Sequence, residues 1–125
     1  MTIMTETVHA TEFLRSEGCG TISRDVVTIV SGAGVVLAGT VLGKITASGK
    51  YTPSPDTGAD GSQVAIAVLY RTVDATSADV TGAVIVSRHA EVSAGDLTYH
   101  SSVSDATKRA AKATQLAAVS IVVRT

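Results

Sequence analysis

"AGTVLGKITASGKYTPSPDTGADGSQVAIAVLY" (residues 38–70) is the stretch whose reading decides how this chain folds. A short apolar piece ends in Gly43-Lys44, a connection holding both prolines of the chain follows, and then comes an unbroken apolar run. Glycines ahead of a Gly-Lys pair raise the possibility of a phosphate loop. Such a loop needs four residues between its glycines and a hydroxyl residue after the lysine to hold magnesium. Here Gly39 and Gly43 enclose three residues, and Ile45 follows Lys44. The loop is too short to wrap a phosphate, and the metal ligand is missing. The stretch therefore reads as strands and a turn, with Lys44 at a strand end pointing to water.

Working outward, the strand texture continues on both sides. "DVVTIV" (25–30) reads as a strand closed by the turn Ser31-Gly32-Ala33-Gly34. "VVLAGTVLGKI" (35–45) reads as two short strand pieces around Gly39, which suits a bulge or sharp bend. Residues 46–62 read as a long surface connection, since neither Pro53 nor Pro55 suits a central strand. In "QVAIAVLY" (63–70), Val64, Ile66 and Val68 alternate with Ala65, Ala67 and Leu69, so both faces are apolar and both are expected to be buried. Residues 73–82 read as a turn region, and "AVIVSRHAEV" (83–92) as a strand bent near Arg88-His89. One helix is predicted from Ser104 onward, with Ser104 as cap and Asp105 in the first turn. Ala106, Ala110, Ala113 and Ala117 share one of its faces, narrow enough for close approach to a sheet or a neighbouring subunit. Lys108 and Lys112 stack one turn apart and read as solvated surface. Val119, Ile121 and Val123 alternate in a last strand. The fold class is mainly β, that is α+β with one short helix.

Residues 1–20 differ in texture. They are polar, weakly periodic, and end in Gly18-Cys19-Gly20, a flexible joint. This segment reads either as a frayed terminus or as an arm that orders on a partner by adding a strand to a sheet edge. No signal peptide and no membrane span is expected, because no continuous apolar segment of sufficient length occurs.

With 125 residues the chain fits one domain. Such a domain buries roughly 65% of the surface of its extended chain. Hydrophobic residues reach 45% but aromatics only 3%, so Val and Ala must fill the core. A core short of rings has less burial energy than usual, and association with other subunits is one remedy. The net charge of −1 and the lack of a basic run argue against a nucleic-acid partner. Cys19 is the single cysteine and reads as a bystander thiol. His9, His89 and His100 are too widely spaced to seed a metal site, and no serine stands in Gly-x-Ser-x-Gly. No catalytic group, metal, cofactor or small-molecule substrate is expected.

The order of these pieces resembles the phage head decoration protein family, the lambdoid capsid-cement proteins. The resemblance spans roughly residues 24–125. It rests on Gly39-Thr-Val-Leu-Gly-Lys with Tyr51 downstream, Asp60-Gly61 leading into Val64–Leu69, Val73-Asp74-Ala75, Val84–Glu91, and the closing Ile121-Val122-Val123-Arg124. Where the family usually has Gly-Ile before its last strand, this chain has Ser120-Ile121. The resemblance implies a small, irregular β-barrel-like (β-tulip) domain that forms homotrimers. It implies binding to the major capsid protein at three-fold and quasi-three-fold points on the outer surface of an expanded head, after synthesis in the host cytoplasm. The organisation it implies is a flexible capsid-binding arm at residues 1–20 and a β-rich decoration domain at residues 21–125. Thr5, Thr7, Val8, Thr11, Phe13, Leu14 and Arg15 are the candidate capsid contacts. A tail or fibre module, or a small ligand-binding β-domain or enzyme, remains the alternative.

Overall fold

Short runs of β-branched residues, punctuated by glycine and proline, produce short strands. The computed structural model describes residues 13–17 and 22–124. Among these, the strands are β1 (Leu14–Glu17), β2 (Arg24–Ile29), β3 (Gly34–Val36), β4 (Val41–Lys44), β5 (Tyr51–Pro53), β6 (Ala65–Leu69), β7 (Val73–Ala75), β8 (Val80–Val86), β9 (Ala90–Ser93) and β10 (Ile121–Arg124). One helix, α1 (Ala106–Ala117), lies between β9 and β10. The described residues are mainly β with one α-helix, as the sequence predicts. Lys44 ends β4 and is exposed, so the phosphate-loop question closes on a strand end.

Strands β2, β5, β4, β6 and β8 close into a barrel in that order. β5 completes the ring: Tyr51 pairs in parallel with Ile29, and β5 runs antiparallel to β4 with Leu42 opposite Pro53. This corrects the reading of residues 46–62 as a surface connection throughout. Pro53 lacks an N–H, but it is the last residue of β5, and the next donor, Ser54 N, reaches Val41 O at 3.0 Å. A second correction concerns residues 73–82. Val73–Ala75 is β7, paired antiparallel with β3, and β8 already begins at Val80. Residues 76–79 alone form the turn, where Asp74 Oδ1 accepts from Thr76 N at 3.0 Å and from Thr76 Oγ1 at 2.5 Å.

Two cores share the barrel wall. The inner one fills the barrel with Ile29, Val36, Leu42, Ala67, Leu69, Ala75, Ala83 and Ile85. The outer one gathers Phe13, Val41, Ala65, Val68, Val86, Ala90, Val92, Leu116 and Ile121 between barrel, helix and a small sheet. β6 feeds both, as its two apolar faces predict. A bulge sits where the register passes from Leu42↔Ala67 to Gly43↔Ala65. The extra residue, Ile66, reverses the alternation, so Ala65 joins the core of Val68 rather than that of Ala67 and Leu69.

The small sheet has β9 in the middle, β1 antiparallel on one side and β10 parallel on the other. The bend predicted near Arg88-His89 is present: His89 has a φ of 51° and turns β8 into β9. Ser120 has a φ of 63° and stands just ahead of β10. Helix α1 is capped one residue later than predicted, by Asp105, whose Oδ1 accepts from Lys108 N at 2.9 Å. Its alanine face turns outward, with Ala106, Ala110 and Ala117 exposed. The inward face carries Leu116 and, against prediction, Lys112. Lys112 is buried because loop oxygens, rather than water, receive its ammonium.

Candidate interaction surface

Of the candidate contact residues, Thr5, Thr7, Val8 and Thr11 lie outside the described residues. Phe13, the only phenylalanine, is 0% exposed at the centre of the outer core. Leu14 is half-buried against the same core, and Arg15 is exposed. The sequence groups all three with an arm because polar residues flank them and no periodicity marks them. The fold instead holds Phe13 as an anchor: its carbonyl accepts from Ser93 N at 2.8 Å. Gly39 makes room beside it. A Cβ there would stand 3.5 Å from the Phe13 ring and 2.8 Å from Asp96 O, and the φ of +87° favours glycine in any case.

From this anchor β1 runs along the edge of the small sheet, with Leu14 opposite Val92, Ser16 opposite Glu91 and Glu17 opposite Ala90. Arg15 sits at the irregularity between the first two pairs. Glu17 ties the strand to the barrel. It accepts from Ser23 Oγ at 2.5 Å and is ion-paired with Arg24, whose guanidinium lies 4.5 Å over the Tyr70 ring. Arg24's hydrogen bond, with Ser23's help, holds the Glu17 carboxyl below its ordinary value of 4.5 against the opposing effect of burial. On the sheet's outer face Ser16, Glu91 and Val122 stand side by side, and Val122 is 41% exposed. Arg124 at the end of β10 reaches Glu91 at 3.4 Å.

Beside the anchor, beyond Ala94 and Gly95, an apolar groove of about 650 Å³ opens between α1 and the end of β10. Tyr99, Ala106, Arg109, Ala110, Ala113 and Val123 line it. Arg109 lies 5.8 Å over the Tyr99 ring, and burial raises the Tyr99 phenol above its ordinary value despite that cation. Ala106, Ala110 and Ala113 of the alanine stripe thus line a groove whose far wall includes Val123 of β10.

The chemistry of reaction centres finds less material. Ser102 Oγ lies 2.8 Å from His100 Nδ1, but Ser102 N also donates to Nδ1 at 3.1 Å and Asp56 N donates to Ser102 Oγ at 2.9 Å. These bonds close a turn and tie it to the 54–63 segment. Among the described residues, no group of three or more His, Cys, Asp or Glu side chains could hold a metal ion.

What this geometry offers is surface for association. The sequence model of one family, described as Bacteriophage lambda head decoration protein D, matches residues 3–121. Comparison with curated proteins gives no match. The chain belongs to the phage head decoration protein family; it is a structural component that binds a phage capsid, and its place is the virion.

Proposed function

We propose that the protein is a cement that acts as a homotrimer at three-fold and quasi-three-fold points on the outer surface of the expanded head. There it holds neighbouring major capsid protein subunits together against the pressure of packaged DNA, and it carries out no reaction. The residues ahead of Phe13, including Thr5, Thr7, Val8 and Thr11, form the capsid-binding arm together with exposed Arg15. Phe13 and Leu14 fasten that arm to the domain. The observation that carries this reading is the family match, which begins at residue 3 and so takes in the segment preceding the anchor. The edge position of β1 supports it, since a strand edge offers main-chain pairing to an incoming segment. The outward alanine stripe and its groove support a subunit contact. Three arms on one trimer reinforce each other, because once one docks the others bind at raised effective concentration, a gain of order 10²–10⁴. A trimer at 100 times its dissociation constant stabilises the expanded lattice by about 2.7 kcal/mol per site.

The test is removal of residues 2–12, which spares Phe13. The shortened protein is expected to keep the wild-type circular dichroism and a light-scattering mass of three chains, and to stop cosedimenting with emptied, expanded heads. Undiminished cosedimentation rejects the arm, and a single-chain mass for the full-length protein rejects the trimer.

A further inference from the structure

Lys112 is 2% exposed. Lysine is seldom buried so far unless its charge is compensated. Its Nζ donates to Ser54 Oγ at 2.9 Å, Pro55 O at 2.6 Å and Gln63 O at 2.6 Å. An ammonium has three N–H donors, so each has an oxygen. None of the three acceptors is charged. Burial lowers the Lys112 pKa, with Asp56 opposing that shift through its charge. The hydrogen bonds therefore replace the lost hydration in place of an ion pair.

The three oxygens come from both ends of the 54–63 segment, so one side chain ties the ends together. Ser54 Oγ also donates to Ser62 O at 2.7 Å, closing the segment on itself. One helical turn beyond Lys112, Gln115 Oε1 accepts from Ala65 N at 2.7 Å, just past the segment. On the opposite side the segment lies flat on β4. A Cβ at Gly43 would stand 2.0 Å from Ser62 O, so only a glycine in β4 permits this approach. The segment is thus held between β4 and α1, while its tip, residues 57–60, is exposed.

We infer that Ser54 Oγ and the carbonyls of Pro55 and Gln63 form a seat for a primary ammonium, filled by the chain's own Lys112, and that the filled seat clasps the 54–63 segment shut against β4. The ligand class follows from geometry. The separations of 2.6–2.9 Å lie at the short end for N–H on oxygen, as a charged donor gives, and a compact head with three donors meets three convergent acceptors. The planar fork of a guanidinium has a different shape.

Chemical rescue tests this. Lys112→Ala removes the atoms that n-propylammonium contains. In the substituted protein, amide deuterium exchange across residues 54–65 is expected to rise on the order of 10–100-fold, the range implied by orphaned buried acceptors. Added n-propylammonium chloride should reverse the rise in a saturable way. Tetramethylammonium chloride at equal concentration, which has no N–H, should not. Unchanged exchange in the variant, or equal recovery with both salts, overturns the inference. If Lys112→Ala does not fold, native-state exchange of the wild-type protein in low denaturant decides. The amides of Ser54 and Ala65 should then open together with those of Lys112–Leu116, and separate opening of the segment overturns the clasp.

Discussion

The two cores are built in opposite ways. The inner core draws on one continuous span: its buried members run from Ile29 to Ile85, and none of them carries an aromatic ring. The outer core draws on the far parts of the chain, Phe13 before the barrel and Leu116 and Ile121 after it, laid on the barrel's outer wall. Segments distant in sequence must meet before the outer core exists, so its loop-closure entropy is larger. The chain places its one phenylalanine there, where a large ring contributes most burial per residue. Aliphatic residues alone make up the buried inner core, and the single buried ring serves where the distant segments converge on a wall of mostly Val and Ala.

Truncation is the strongest way to break this contrast. Phe13→Ala should destabilise the protein by about 3–5 kcal/mol, and Leu42→Ala, in the inner core, by about 2–5 kcal/mol. The two should differ in pattern as well as in size. Amide exchange in Phe13→Ala should rise first in β1, β9 and β10, whereas Leu42→Ala should loosen the barrel. A uniform rise in both variants would mean that the cores are one cooperative unit. A smaller effect sharpens the picture at the last strand. Ser120 has a φ of 63°, which a non-glycine residue adopts at some expense. Ser120→Gly should raise the urea midpoint by an amount equivalent to about 0.5–1 kcal/mol, because relief of strain outweighs the added freedom of the unfolded chain. No gain would show that Ser120 sits there without strain.

The smallest effect concerns the tie between small sheet and barrel. Arg24's hydrogen bond and Ser23 keep Glu17 below its ordinary 4.5, and Ser87 and then Arg88 keep Asp25 below its ordinary 3.8. A carboxylate depressed in the folded state adds stability that is fully present above its unfolded value. That stability is lost as pH falls through the folded value. Stability should thus decline below about pH 4.5 for Glu17 and below about 3.8 for Asp25. Glu17→Gln should flatten the upper part of that decline by well under about 1 kcal/mol in pH-dependent urea melts. An unaltered pH profile would show that the Arg24 contact adds nothing to the sheet's attachment.

Much of this architecture is legible in the sequence, and the rest is hidden for identifiable reasons. β6 announces its two buried faces through its own alternation, although the Ile66 bulge, which moves Ala65 to the other core, leaves no mark on the pattern. α1 and β10 are readable because periodicity and capping are local. β5 and β7 are not: each has three residues, too few for a period, and only closure of the barrel and pairing with β3 make them strands. Lys112 looks solvated on a helical wheel because the oxygens that bury it come from residues 54–63. Phe13 looks like part of a tail because its partners, from Val41 to Ile121, all lie far along the chain. For the interaction surface, the apolar stripe on α1 is visible in the spacing of its alanines, but the groove it lines is made by Tyr99 and Val123 from other elements.

The arrangement of the small sheet has a mechanical corollary. Leu14 and Val123 both lie opposite Val92, so the first and last strands leave the same end of the sheet, about 10 Å apart across two inter-strand gaps. Tension that drags both in the same direction, along the strands, loads their ladders in shear, with the rungs sharing the force. Tension that spreads them sideways would unzip the rungs one after another. A molecule pulled lengthwise at this corner should therefore resist far better than one prised open.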